Sequence, residues 1–582
     1  MVAESIPRHI TPPTTSSRSS SVSATLSPST ATAPRSRTPM APGSPIYDRL
    51  EAGRPPPKQS LRFGWRKFAI GASLLLVLVW LFVPKERRHL PKWSSSSGDE
   101  VIPPLRRPTQ TPAKSPSNGL KHPTSFDEDS DPTKTTYCKK PHSSSEQLVQ
   151  FGLMIDAGST GSRIHIYKFN NCGPQPVYEY EVFKQTETTK KSGLSSFAGR
   201  PEAAAASLDV LMQEAMRVVP PSLRKCTPVA VRATAGLRLL PGSQSADILA
   251  AVTTHLRDNY PFSLPSKDPV TIMDGADEAV FAWITANYLL GSIRADAKPK
   301  TPTFAVLDLG GASTQIVFAP VGDAPLHEGE HKYDLDFGGK TRVLYQHSYL
   351  GYGLMQARAS IHRVVHFMSS LHHDPPVAAH GQDPVISNPC LSRETRRRVE
   401  LPIDGGAMQN FTMDGGDVGG FEACKKIVDL VLAKDAVCTV RPCAFGGVYQ
   451  PALSEAFPAH AGRVLLLSYF YDRVAPLMPK PKGDTQLATT VDEIADLAKV
   501  VCKGREGWLP RWGAQTALMA DLEERPEWCL DLTFMHRLLR NGYEFDGHRE
   551  VMYGKQIAGT ELGWALGAGF KLVGGVDVQC RV

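Results

Sequence analysis

The sequence predicts a two-lobed α/β protein built on a duplicated strand–Asp–Gly-rich turn–strand unit, and three observations carry that reading. Leu148 to Ile155 is an apolar run ending in Asp156; a turn of small residues follows, and Arg163-Ile164-His165-Ile166-Tyr167 alternates as a strand does. The same order of parts returns 152 residues later, where Thr303 to Leu307 ends in Asp308, a glycine-rich turn follows, and Gln315 to Phe318 reads as a strand. Between the copies, strand and helix patterns alternate. Val177 to Phe183 and Pro228 to Ala233 read as strands, 201–218 and 243–259 as helices, Pro269 to Met273 as a short strand and 275–290 as a strong helix. A repeat this far apart duplicates a supersecondary unit and is not a short solenoid period. Two lobes, each opening with such a hairpin, would face one another across a cleft.

The body that carries this pattern is expected over 148–582. Residues 1–67 are Ser/Thr/Pro/Ala-rich with few large apolar side chains, so they bury too little surface to offset ordering entropy and are expected to be a disordered cytosolic tail. Residues 68–83 are apolar apart from Ser73, with Trp65 and Trp80 near the ends and Pro84 closing the run. At about 1.5 Å per residue they span roughly 24 Å, a short transmembrane helix suited to a thin membrane. A buried core helix has the same length, but the flanking tail and stem offer nothing to pack against. Residues 84–147 are polar and Pro/Ser-rich and read as a stem, while the apolar run 559–574, broken by five glycines and Lys571, reads as core.

The net charge of +7 invites a nucleic-acid reading, but residues 1–67 hold ten Lys/Arg against three Asp/Glu, and that excess accounts for all of it. A formally neutral body lacks the basic footprint that nucleic acid requires. The same basic tail places the amino terminus in the cytosol. The ten cysteines all lie between Cys138 and Cys580, on the other side of the apolar run, which reads as disulfides in an oxidising lumen. Cys438 and Cys443 have the spacing of half a metal site, though no second pair completes it. Asn410-Phe411-Thr412 is a sequon compatible with that compartment.

The two turns carry the chemistry. Asp156-Ala157-Gly158-Ser159-Thr160-Gly161-Ser162 and Asp308-Leu309-Gly310-Gly311-Ala312-Ser313-Thr314 each set small residues after a strand-end Asp, so that successive backbone N–H groups can converge on an anion. Hydroxyls of Ser159, Thr160 and Ser313 add donors. An Asp repels phosphate directly but can hold a divalent cation through its water shell. A single Gly-rich turn usually only turns the chain; two with the same order of parts suit a polyphosphate clamp. The helix at 275 opens Gly275-Ala276-Asp277-Glu278. Such acids ordinarily complement the helix dipole, but Glu278 is also placed to be a general base toward water. Thr234, after the strand that ends Arg232-Ala233, can orient water or a phosphate oxygen. Gln315 shares a strand face with Ser313 and can hold the attacking water.

Several long blocks, in order, resemble the apyrase family of nucleoside di- and triphosphate diphosphohydrolases: IDAGSTGSRIHIYKF (155–169), VRATAGLRLL (231–240), IMDGADEAVFAWITANYLLG (272–291), VLDLGGASTQIVFAP (306–320), HSYLGYGLMQAR (347–358), CAFGGVYQP (443–451), SYFYDR (468–473), WCLDLTF (528–534) and LGWALGAGF (562–570). The resemblance implies an actin-like, ribonuclease-H-like two-lobed fold and water attack on a terminal phosphate. It makes Glu278 the base, and Asp156 and Asp308 the residues that hold Ca²⁺, Mg²⁺ or Mn²⁺ through water. Ser159 to Ser162 and Gly310 to Ser313 become the phosphate loops, and Thr234 and Gln315 neighbours of the nucleophilic water. Tyr469, Tyr471 and Trp564 fall in blocks that look like the nucleobase side. Gly161, Arg163 and the block from Ser348 to Met355 resemble the diphosphatase branch, which implies GDP as substrate and a Golgi role in recycling the GDP left by mannosyl transfer. Ala279 departs from the family, which usually has Gly after the base, and puts turnover in doubt. Two other classes on the same fold are a phosphotransferase or ATP-driven chaperone and a non-catalytic nucleotide-binding scaffold; the intact acidic set speaks against the latter.

Overall fold

The computed structural model describes residues 122–581 except 159–160, 187–192, 239, 323–325, 372–382, 404–405, 418, 480–486 and 576–579. The tail, the apolar run 68–83 and most of the stem lie outside the described residues. Among the described residues, no helix is long and apolar enough to cross a membrane.

The first hairpin forms as its alternation dictates. β1 (Val149–Ala157) pairs antiparallel with β2 (Ser162–Asn170), so that Asp156 faces Arg163 across the ladder. β3 (Val177–Gln185) extends the sheet beyond β2, and β4 (Val229–Ala233) and β5 (Val270–Ile272) add in parallel on the other side of β1. The order is β3-β2-β1-β4-β5. Helices α1 (Pro201–Ala206), α2 (Asp209–Val218) and α3 (Gln244–Asn259) accompany this sheet, and α2 and α3 bury their apolar stripes in one core with β1 and β4. The helix predicted over 201–218 is therefore two, broken at Ser207-Leu208.

The second sheet repeats that plan. Its strands are β6 (Ala305–Leu309), β7 (Ser313–Phe318), β8 (Lys332–Phe337), β9 (Lys340–Leu350), β13 (Val464–Ser468), β14 (Leu487–Thr490) and β15 (Glu550–Tyr553). They run in the order β14-β15-β13-β6-β7-β9-β8. The stretch β9-β7-β6-β13-β15 has the same sequence of antiparallel and parallel pairings as the first sheet. β6 is thus the counterpart of β1, and Asp308 of Asp156. A small sheet of β10 (Val385–Ser387), β11 (Arg396–Pro402) and β12 (Met408–Asp414) sits apart.

Two helices join the lobes. α4 (Gly275–Leu289) is apolar all round and buried, as a helix between two sheets must be. α8 (Ala565–Gly574), within the run read as core, packs against α4 and back against β1. Gly567 is required there: a Cβ would lie 2.2 Å from the Phe281 carbonyl oxygen. Residues 122–147, read as the end of the stem, lie against the first sheet. Fully buried Lys168 donates to Asp129 and to the Lys134 carbonyl, and Tyr180 donates to Asp129. All ten cysteines pair, as Cys138–Cys172, Cys226–Cys580, Cys390–Cys424, Cys438–Cys443 and Cys502–Cys529. Cys438 and Cys443 bond each other, which disposes of the half metal site.

Candidate active site

Both strand-end aspartates open onto one cleft of about 480 Å³ between the lobes. In the first loop, Asp156 is held by Arg163, whose Nε lies 3.1 Å from Oδ2. Gly158 sits where a Cβ would press on the Gly161 carbonyl at 3.1 Å and on Arg163 at 3.4 Å. Gly161 and Ser162 line the cleft, and the Ser162 N–H donates to the Thr186 hydroxyl at 3.2 Å. Ser159 and Thr160 lie outside the described residues.

The second loop is fixed from behind. α5 (Leu354–Ser370) begins next to it, and the orphan N–H groups of its first turn donate to loop carbonyls: Leu354 to Gly310 at 2.9 Å, Met355 and Gln356 to Gly311 at 2.9 and 3.2 Å. Gly351 N–H donates to the Ala312 carbonyl at 2.8 Å. This contact needs Gly353, since a Cβ there would lie 2.4 Å from the Ser313 nitrogen. With its carbonyls turned into the helix, the loop presents Gly310 and Gly311 to the cleft, while Ala312 and Ser313 are buried behind them. Gln315 is buried too, and its amide nitrogen donates to Ser313 Oγ at 2.8 Å and Ser348 Oγ at 3.0 Å. Gln315, Ala312 and Ser313 therefore support the wall and do not line it.

Glu278 enters from α4. Asp274 caps that helix by accepting the Ala276 N–H at 2.7 Å, leaving Asp277 and Glu278 in the first turn. Asp277 turns to the Tyr333 hydroxyl, and Glu278 faces the cleft. Gly275 allows the approach, because a Cβ there would lie 2.6 Å from Ser348. Burial pushes the Glu278 carboxyl up to about 8, and the charges of Asp308 and Asp156 add to this against Arg238. Burial likewise raises Asp308, with Ser468 donating to it and Arg163 opposing the rise. Thr234 lines the same floor beside them. Ala279, by contrast, points away: it is buried with Met154, Val280 and Trp283 in the core between the lobes.

The donor chemistry fits a divalent cation held through water. Asp156 Oδ1, Asp308 Oδ1 and Glu278 Oε2 are buried without a hydrogen-bond partner among the described residues, three acceptor oxygens on one cleft that a hydrated cation would satisfy. No three His, Cys, Asp or Glu side chains among the described residues converge to ligate a metal directly. Asp156 and Asp308 are the pair that would hold it.

Further along the cleft stand Tyr469 and Tyr471 from α6 (Tyr469–Val474), with Trp564, Asp472 and Lys555. The β16 (Gln556–Ile557)–β17 (Thr560–Glu561) hairpin closes this end; Tyr178 from the first lobe bonds Thr560 at 2.6 Å, and Glu181 accepts the Glu561 N–H at 2.7 Å. Sequence reasoning missed Ser468 and the role of Arg163 as the partner of Asp156. Ser468 ends β13 at φ 56°, ψ −123°, a strained conformation for a residue with a side chain, and its hydroxyl meets Asp308. Extending the repeat by one strand would have found it, since β13 is to Asp308 what β4, the strand before Thr234, is to Asp156.

Known proteins resemble this chain over most of its length. Residues 142–582 match the family model for the GDA1/CD39 (nucleoside phosphatase) family. The chain is 45% identical to a probable guanosine-diphosphatase of Aspergillus fumigatus, over 87% of this chain and 95% of that one. It is 43% identical to a guanosine-diphosphatase of Schizosaccharomyces pombe over 75% and 76%, and 32% identical to a human nucleoside diphosphate phosphatase over 74% and 89%. A solved nucleoside triphosphate hydrolase structure from Neospora caninum aligns with 73% of this chain and 92% of its own at 14% identity and a TM-score of 0.49. With the whole of 148–582 inside the matched region and relatives above 40% identity along most of their length, the chain belongs to the GDA1/CD39 nucleoside phosphatase family.

Proposed function

We propose that this protein hydrolyses nucleoside diphosphates, GDP foremost, to the nucleoside monophosphate and orthophosphate. The observation that carries the reading is the Glu278 carboxyl, buried with one oxygen unpartnered and coupled to both loop aspartates. The terminal phosphate sits between the loops, where the Gly161 and Gly311 N–H groups and the Ser162 hydroxyl donate to its oxygens, with the Ser159 and Thr160 hydroxyls as further donors, while the Gly310 N–H donates to the Ser313 carbonyl and holds the second turn in shape. Glu278 takes a proton from water as the water oxygen bonds to the terminal phosphorus. The bond from that phosphorus to the bridging oxygen breaks, and GMP leaves. Thr234 orients the water, and Gln315 keeps Ser313 in place behind the wall. What a divalent cation (Ca²⁺, Mg²⁺ or Mn²⁺) supplies at Asp156 and Asp308 is neutralisation of the phosphate charge. Tyr469, Tyr471 and Trp564 form the nucleobase side.

The preference for GDP is supported by the guanosine-diphosphatase relatives at 42–45% identity. The shared strand order of the two sheets supports reading the fold as actin-like and ribonuclease-H-like. The apolar run 68–83 and the five disulfides support a single-pass enzyme of the Golgi membrane with its body in the lumen, where it removes the GDP left by mannosyl transfer and supplies GMP for exchange. The test is phosphate release from GDP, UDP, ADP and GTP, with divalent cations and after chelation. GDP is expected to be turned over fastest, and none after chelation. Equal turnover of GTP would make this a broader tri- and diphosphatase; no phosphate from any of the four would leave a nucleotide-binding protein without hydrolysis.

A further inference from the structure

Behind Tyr469 lies a buried charge cluster that the mechanism does not use. Asp531 is completely buried on α7 (Trp528–Arg537). It takes Arg358 of α5 through both oxygens, with Nε at 2.7 Å from Oδ1, and Arg473 of α6 through Nε at 2.8 Å from Oδ2. Arg473 is itself sandwiched. Its guanidinium lies 5.5 Å from the centre of the Tyr469 ring and 5.1 Å from that of Trp528. The spacings explain the sandwich: Tyr469 and Arg473 are four apart on one short helix, and Trp528 and Asp531 are three apart on another, so each pair shares a face. Tyr469 lines the cleft and Arg473 does not. The ring therefore has one face covered by a cation whose own position is fixed by a buried carboxylate and a second aromatic ring.

We infer that Arg473, anchored by Asp531, is a positioning residue that sets the Tyr469 ring as a wall of the nucleobase pocket and so governs affinity for the base without touching the substrate. This rests on the diphosphatase reading above. A rigid aromatic wall is useful for a flat base, since ring orientation decides whether stacking area is realised. A guanidinium suits the task better than an ammonium, because its plane can stack on Tyr469 while its edge bonds Asp531.

Two cations share one carboxylate here, so the substitution to make is Arg473→Met. It leaves Arg358 and Asp531 as a matched pair, whereas removing Asp531 would strand two buried cations. The constants to read are the KM for GDP and the inhibition constant of imidodiphosphate, a base-free probe of the phosphate loops. The expected result is a KM raised about tenfold with kcat within about threefold and an unchanged imidodiphosphate constant. Tyr469→Leu should do the same, and the double variant should be no weaker than Tyr469→Leu alone, because both act through one ring. Arg473→Lys should recover part of the loss; should the Met variant not fold, its two constants decide in its place. An imidodiphosphate constant that rises in step with the KM, or effects of the two substitutions that multiply, would overturn the inference. A wild-type protein that binds imidodiphosphate but releases no phosphate from GDP would overturn the diphosphatase reading instead.

Discussion

Ala279 shows how a neighbour of Glu278 in sequence can be remote from the cleft in space. The family resemblance sets it beside Glu278 where the family usually has Gly, and from the sequence a methyl there is expected to crowd the site. On a helix, adjacent residues point about 100° apart, and Ala279 is 1% exposed in the core while Glu278 faces the cleft. Ala279→Gly should therefore cost about 1–2 kcal/mol of stability, from a lost methyl and a more flexible helix, and leave turnover within about twofold. Urea unfolding and phosphate release measure the two; a large gain in turnover would show that the methyl does crowd the site. At this scale the acidic residues were legible because a carboxylate at a strand end or helix start is chemically conspicuous. Ser468 was not conspicuous by itself: only its place at the end of the strand that repeats β4 marks it, and its value comes from a backbone angle and a neighbour, Asp308, that lies 160 residues earlier.

At the scale of elements, α5 and α7 carry His362 and His536, both held down at about 4, chiefly by burial and then by nearby arginines. The Asn388 amide approaches His362 Nδ1 at 3.1 Å; an amide N–H can only donate, so that nitrogen is bare in the fold. Between pH 6.5 and 4 the unfolded chain takes up protons that the fold refuses. Stability is thus complete above pH 6.5 and falls with acidification, by up to about 2 kcal/mol per imidazole at pH 5. Replacing both by Gln should flatten the change in urea midpoint between pH 7.5 and 5; an equally steep change in that variant would contradict the assignment. Element positions were the most legible level, because periodicity reports burial directly: the helix expected at 275–290 is Gly275–Leu289. What periodicity cannot report is a contact between elements, such as α5 tying back the second loop through Gly353. That demand is written only as a glycine, in a stretch that already has several.

For the whole molecule, the duplicated unit was readable because both copies keep the same order of parts, whereas the path of the chain ends was not. The carboxyl terminus returns to the first lobe. Cys226–Cys580 spans 354 residues, and Arg581 donates its N–H to the Lys225 carbonyl at 2.8 Å. Replacing both cysteines by Ser should lower stability by about 2–5 kcal/mol in chemical denaturation, since so long a loop restrains the unfolded chain strongly. An unchanged midpoint would mean that α8 alone secures this end. On the function proposed here, the two lobes, the two aspartates and the helix between them bring a buried base to a phosphate held from both sides. Glu278→Gln tests that most directly, with phosphate release from GDP measured beside GDP affinity. The expected variant binds GDP within about threefold of wild type and melts no lower, since a carboxylate pushed up to about 8 by burial is no longer present to be desolvated. It should release phosphate about 10²–10⁴-fold more slowly; turnover within tenfold of wild type would contradict the account.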